Sequence, residues 1–320
     1  MKKLLLLGMI ISMILFTSCQ ETTTSEPIIG EPVAVTINFA PDSVSKNSEF
    51  SATLGIVNNG DHEISSGDLA VKIIRDYFRS VNSEVTLYDE LNKQSNTILT
   101  IEDIAPNVEI QNNEVQRTYE LKIEYRFIYG GSSDIVMCFV NPITQYDARK
   151  KPICNTANNK ISNSKNYIVL SSMDINTGQD YANVVFNIQK VNSNVKLLAL
   201  DSINFYDIRD YLTDRYKGDK ESIKIKFNSI PSEVDATNSY CLIPNEKGGF
   251  TNKNLNELGY QYQELFLNGN SAQIKCKFKF LDTTKLDAPN YAFKSYMQIA
   301  YKYVVMGTVS KPITIINEEY

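Results

Sequence analysis

The side chains here that could cross-link, ligate or catalyse are five cysteines, a single histidine and scattered carboxylates. His62, in Asp61-His62-Glu63, is the sole imidazole for a Ser-His-Asp or Cys-His mechanism, and no Gly-x-Ser-x-Gly elbow accompanies it. It reads as an exposed turn histidine. A glycosidase would need only two carboxylates, which folding could bring together from any spacing. Asp207, Asp210 and Asp214 would share one helical face, but Arg209, Arg215 and Lys217 among them suggest a solvated surface laced with ion pairs. Calcium is the minor alternative there, without the spacing of an EF-hand. Neither Gly-x-Gly-x-x-Gly nor a P-loop occurs, so no cofactor is expected. The sequence predicts a protein that is not an enzyme, with a carboxylate-dependent hydrolase as the remote rival.

The first residues concern address. Met1-Lys2-Lys3 precedes an apolar run over residues 4–16, broken only by Gly8 and Ser12, which fits a secretory signal. The run is shorter than the roughly 20 residues of a membrane span. Leu15-Phe16-Thr17-Ser18-Cys19 resembles the lipobox of bacterial-type lipoproteins, with Phe16 where Leu, Val or Ile is usual. The resemblance implies a signal peptide at 1–18 and lipidation of Cys19. Residues 19–32, polar and without periodicity, then read as the lipidated cysteine and a flexible tether. The expected location is the cell envelope, anchored in the membrane by lipid and facing outside the cytoplasm.

An exported chain can keep disulfides, and Cys138, Cys154, Cys241 and Cys276 are even in number. Three pairings are open; Cys138 with Cys154 and Cys241 with Cys276 are favoured because each pair lies within one half. Zinc would want close Cys-x-x-Cys or Cys/His pairs, which are missing, so no metal site is expected. The formal charge of −5 includes Lys2 and Lys3, so the chain after residue 18 carries −7. That argues against nucleic acid and against an anionic membrane face, both of which need clustered Lys and Arg.

The elements are mostly strands. Apolar residues alternate at Val33, Val35, Ile37 and Phe39; at Phe50, Ala52, Leu54 and Ile56; at Leu121, Ile123, Tyr125 and Phe127; at Val184, Phe186 and Ile188; and at Ile274, Cys276, Phe278 and Phe280. Helical patterns are scarce: residues 69–78, which could equally be a strand, and 207–216. Residues 121–141 (LKIEYRFIYGGSSDIVMCFVN) align without gaps on 297–317 (MQIAYKYVVMGTVSKPITIIN), matching Tyr125 to Tyr301 and Gly131 to Gly307. Each copy reads as a terminal hairpin turning near its glycine. Residues 50–58 parallel 184–192 more weakly, so two related domains in tandem are expected. Their bounds are 33–145 and 167–320, with 146–166 as linker, onto which the Cys138–Cys154 bridge would be stapled. Tyr125, Tyr301 and Tyr303 belong on the packed face, with hydroxyls at a sheet edge or in water, rather than on a sugar-stacking platform. Residues 245–262 read as a long loop, making Tyr260 and Tyr262 the candidate contact residues.

Residues 50–67 (FSATLGIVNNGDHEISSG) resemble the core of immunoglobulin-like modules in prokaryotic surface proteins, including the cell-adhesion-related (CARDB-like) type. There an alternating strand ends in Asn-Asn-Gly, where Asn58 to Asp61 can supply the positive φ of a tight turn. The four later cysteines also look like the paired pattern of tandem-domain surface proteins. The resemblance implies two Ig-like β-sandwich domains used for display, adhesion or envelope structure, without the central Trp of a true immunoglobulin core, since the chain has no Trp. The expectation is a lipid-anchored cell-surface protein with a structural, adhesive or protein-binding role, its partner a protein or glycan. A glycan- or small-ligand-binding lipoprotein is the alternative.

Overall fold

The structure is a computed structural model that describes residues 31–80, 84–87, 89–110, 114–140, 154–199, 220–281 and 292–318, with the backbone of Thr23 and Thr24. Cys19 with its lipobox, and the stretch 207–216, lie outside the described residues. The fold is all-β, as the alternation predicts. Two residues of the expected tether form β1 (Thr23–Thr24). The first half continues with β2 (Val33–Phe39), β3 (Ser43–Ser45), β4 (Phe50–Asn58), β5 (Leu69–Ile73), β6 (Phe78–Ser80), β7 (Glu84–Leu87), β8 (Ser95–Pro106) and β9 (Gln116–Val140). The second half holds β10 (Lys160–Asn163), β11 (Ile168–Thr177), β12 (Tyr181–Lys190), β13 (Lys196–Leu198), β14 (Ser222–Ser229) and β15 (Tyr240–Pro244). After these come β16 (Phe250–Asn254), the helix α1 (Leu255–Tyr260), β17 (Gln263–Phe266), β18 (Ser271–Lys279) and β19 (Ala292–Ile316).

Three sheets result. One runs β2-β4-β8-β6, a second β1-β11-β12-β18-β15-β16, and the third, which joins the halves, β17-β14-β19-β9-β5-β7. The halves match strand for strand: β2-β4-β8-β6 corresponds to β11-β12-β18-β15, and β5 with β7 on β9 corresponds to β14 with β17 on β19. Register supports this, because Val71 lies opposite Tyr125 and Ile225 opposite Tyr301, the two tyrosines that the sequence repeat equates.

The repeat is not a pair of hairpins. Neither copy turns at its glycine; β9 and β19 are single strands of 25 residues that pair antiparallel with each other along their whole length. At about 3.3 Å per residue each is roughly 80 Å of extended chain. The register places Ile128 opposite Val304, Tyr125 opposite Gly307 and Tyr301 opposite Gly131. Repeat-equivalent pairs, Tyr125 with Gly307 and Tyr301 with Gly131, are thus exchanged by a pseudo-twofold axis through Ile128 and Val304. Each long strand begins beside the strands of its own half and ends beside those of the other. The shared sheet therefore takes strands from both halves, and nearly all of the described core is one cluster that includes Leu54, Phe127, Phe186 and Tyr301.

Other local readings change for physical reasons. Phe39 is 61% exposed, because the pairing of β2 with β4 shifts register between Ile37 and Phe39 and reverses the side-chain parity. Residues 69–78 form β5, a turn and the start of β6, not a helix. Residues 245–262 are not a loop: β15 and β16 pair around a turn at Gly248 (φ +78°), and Asn254 caps α1 by accepting the N–H of Asn256 at 2.8 Å. Leu255 and Leu258 bury the inner side of that helix.

Both favoured disulfides form. Cys241 and Cys276 are directly opposite on β15 and β18, with Cα atoms 4.0 Å apart. Cys138 bonds Cys154 with Cα atoms 6.0 Å apart, inside a small cluster with Ala292 and Val140. That part of β9 lies in the second half's portion of the shared sheet, beside β10 and β19. The bridge ties residue 154 to the ribbon itself.

Candidate functional site

Where the halves cross, the described residues enclose an open cleft of about 620 Å³. Its floor is the middle of the ribbon, with Ile128 to Ser132 on one strand and Gln298 and Ala300 to Lys302 on the other. One wall is the connection between β4 and β5, carrying Asp61, His62, Glu63, Ser65 and Asp68. Asn228 on β14 and Tyr262 after α1 form the opposite wall.

The first wall is held by Asn58, the fully buried last residue of β4. Its amide donates to the carbonyls of His62 (2.7 Å), Asn92 (3.2 Å) and Leu91 (3.3 Å), and its oxygen accepts the Gly60 N–H at 3.1 Å. This side chain replaces the positive φ expected for the turn: no residue from 58 to 61 adopts one. His62 is half-buried, not exposed, its ring edge-on to Tyr129 with centroids 6.1 Å apart. Burial lowers its pKa, opposed by the charge of Asp61.

The floor is hydrogen-bonded and aromatic. Tyr125, Tyr301 and Tyr303 are buried, so packing is their role. Their environment differs from the expectation of a sheet edge or water: Tyr301 shares a 2.9 Å hydrogen bond with Ser133, and Tyr303 donates to Asn166. Tyr167 reaches across the halves to donate to the Val33 carbonyl at 2.7 Å. Burial pushes the phenol of Tyr129 up to about 12 and raises those of Tyr167, Tyr301 and Tyr303 further. All four phenols are neutral at physiological pH. Burial also raises the carboxyl of Asp68 and lowers the ammonium of Lys302, and each charge partly offsets the other's shift.

Of the candidate contact residues, Tyr262 lines this cleft and is 42% exposed, whereas Tyr260, 85% exposed, projects from the end of α1. Asn228 donates to Gln298 at 2.9 Å, and Gln298 donates to Asp134 at 2.7 Å, which fixes two planar amides at the rim. Sequence reasoning named Tyr262 but missed Asn228, Gln298, Asp68 and Lys302. Their separation along the chain leaves no motif.

The arrangement can recognise by hydrogen bonding and charge. Asp61, Glu63 and Asp68 all line the cleft, and Glu63 hydrogen-bonds Glu90, which raises the Glu90 carboxyl. Among the described residues no three His, Cys, Asp or Glu side chains converge as metal ligands. No protein-family model matches the chain, and a search of curated proteins returns no match either.

Proposed function

We propose that this chain is a lipid-anchored protein of the cell surface with an adhesive, structural or protein-binding role, and that it makes contact at the crossing cleft and through Tyr260 and Tyr262 beside it. The carrying observation is where the cleft lies. Its floor is the segment in which β9 and β19 interlock, so a bound partner is gripped by both halves of one interdigitated body. A stiff scaffold with contacts at its element ends suits mechanical display. Each half is read as an immunoglobulin-like sandwich of the adhesion-related kind, supported by seven strand correspondences. The exchanged long strand is its departure from independent beads. The Cys19 anchor is supported by the lipobox and by two disulfides, which suit an oxidising compartment.

Two measurements test the reading. Protein purified from its native membrane should have the mass of residues 19–320 plus acyl chains; an unacylated chain removes the anchor. A photo-crosslinking residue at position 262, in live cells, should capture a discrete partner that position 98, exposed on β8, does not. Equal capture at both positions, or none at 262, overturns the cleft as contact site.

The polar walls favour a second reading, capture of a neutral glycan. Paired amides at Asn228 and Gln298 beside an exposed Tyr262 match the hydrogen-bond pattern and flat face of a sugar. Calorimetric titration with neutral oligosaccharides should then give binding that Gln298→Ala weakens at least tenfold; absence of heat with wild-type protein rejects it.

A further inference from the structure

The six-stranded sheet has an outer face unlike the rest of this acidic chain. On β18, Ile274, Cys276 and Phe278 point into the core, so Lys275, Lys277 and Lys279 point outward in a row. Successive lysines are about 7 Å apart, the i to i+2 spacing of a strand. Cross-strand neighbours on the same face are uncharged and mostly apolar or aromatic: Val185 and Leu242 flank Lys275, Asn183 and Tyr240 flank Lys277, and Tyr181 lies opposite Lys279. The Lys277 ammonium sits 4.3 Å from the centre of the Tyr181 ring, and that of Lys275 sits 5.2 Å from that of Phe250. Both rings keep a large exposed area, 38% for Tyr181 and 48% for Phe250. The acidic groups nearby are Asp174 on β11, engaged by Asn187, Asp180 beside Tyr181, and Asp235 near Lys279.

A second, independent observation says what this face meets. At the edge of the same sheet β1 pairs with β11, Thr23 opposite Met173 and Thr24 opposite Ser172. Cys19 is four residues before Thr23, at most about 14 Å of chain. The lysine row is three strands in from β1, also about 14 Å at the usual strand spacing. A lipid on Cys19 would therefore hold this sheet, and not the first half, next to the bilayer.

We propose that the outer face of the six-stranded sheet docks on anionic lipid headgroups, with Lys275, Lys277 and Lys279 over the phosphates and Tyr181 and Phe250 at the interface, laying the second half on the membrane and pointing the first half away. The inference rests on the lipid-anchor reading for its geometry. A mature charge of −7 repels the remaining surface from the same headgroups, so the basic face is selected. Aromatic rings beside lysines are the composition that interfacial contact favours.

The test separates docking from anchoring. The mature chain carrying Cys19→Ser, which cannot be acylated, is titrated with phosphatidylglycerol–phosphatidylcholine vesicles and with pure phosphatidylcholine vesicles. Binding to the anionic vesicles is expected, lost on adding salt, and reduced roughly a hundredfold in K275E/K277E/K279E, at about fivefold per lysine. Equal charge reversal on the first half, K46E/K72E/K122E, should leave most of it. Equal binding to both vesicle types, or an unaffected triple lysine variant whose urea midpoint is unchanged, overturns the docking. Binding to dissolved polygalacturonate but not to vesicles also overturns it and assigns the face to an acidic glycan. Failure of the anchor reading shows separately, as a native mass without acyl chains.

Discussion

The two halves share a strand plan but close equivalent positions with different chemistry. In the first, β4 ends on Asn58, a neutral amide that gathers three carbonyls and so shapes a wall of the cleft. In the second, β12 ends on Lys190, 5% exposed, whose ammonium meets Glu221 at 2.6 Å and the Val195 carbonyl at 3.0 Å. The glycines differ likewise. A side chain at Gly307 would strike the Tyr125 ring, whereas one at Gly131 would strike the Asn166 amide. The twofold relation is thus one of backbone pairing, and side chains have diverged around it, so that Asn58 shapes a cleft wall in the first half where Lys190 closes an ion pair in the second.

If that divergence is real, the halves should fail differently. The largest effect belongs to the buried ion pair. Lys190→Ala leaves Glu221 without its partner and should cost about 3 to 5 kcal/mol, while Asn58→Ala, which strands neutral carbonyls, should cost about 1 to 3 kcal/mol. Urea unfolding of both variants checks the order, and Lys190→Met with Glu221→Leu should recover most of the first loss. Next come the cross-links. Replacing either cysteine pair with serines should cost about 3 to 4 kcal/mol, since the loops of 16 and 35 residues differ little in closure entropy. Because β9 and β19 belong to both halves, each variant should still melt in one transition; two resolved calorimetric peaks would break the idea of a single interlocked body. Smaller again, Gly307→Ala and Gly131→Ala should each cost about 1 to 3 kcal/mol by overpacking. Adding Tyr125→Val should suppress the first defect and leave the second, a coupling of about 1 kcal/mol or more in a double-mutant cycle.

Much of this was legible in the residues. Alternation at Ala52, Leu54 and Ile56, or at Ile274, Cys276 and Phe278, specifies one buried face by period alone. The repeat around Tyr125 and Tyr301 was visible too, but its meaning was not. A strand with a glycine in it supports a hairpin within one copy as well as pairing between copies, and only long-range packing chooses. Phe39 was misplaced because one extra residue in β2 inverts parity without any mark in the sequence. The cleft draws on segments near residues 62, 130, 228, 262 and 300, so no spacing could reveal it. The lysine row was readable and overlooked, since a search for contiguous basic runs passes over Lys-x-Lys-x-Lys on a strand.

The smallest expected effect is the pH response of the cleft wall, and it sharpens the comparison because both groups belong to the first half's loop. Burial lowers the pKa of His62 below its ordinary 6.5, so its contribution to stability is complete above that pH and is lost as pH falls through the depressed folded value. Asp68 runs the other way. Its raised pKa means that folding favours the proton, a contribution complete below the ordinary 3.8 and lost as pH rises through the folded value. Acidification from neutrality should therefore first weaken the wall through His62 and then restore part of the loss through Asp68. Both groups are half-exposed, so each effect should be a few tenths of a kcal/mol. With the intrinsic pH dependence of exchange divided out, amide protection over residues 59–68 should fall as the pH drops below 6.5 in the wild type and not in His62→Gln, while Asp68→Asn should lose the recovery at lower pH. Residues 191–199, the corresponding exit from β12, should show neither change. Equal loss of protection there would mean that the titration acts on the whole body through the ribbon, and that the loop's chemistry is not local to the first half.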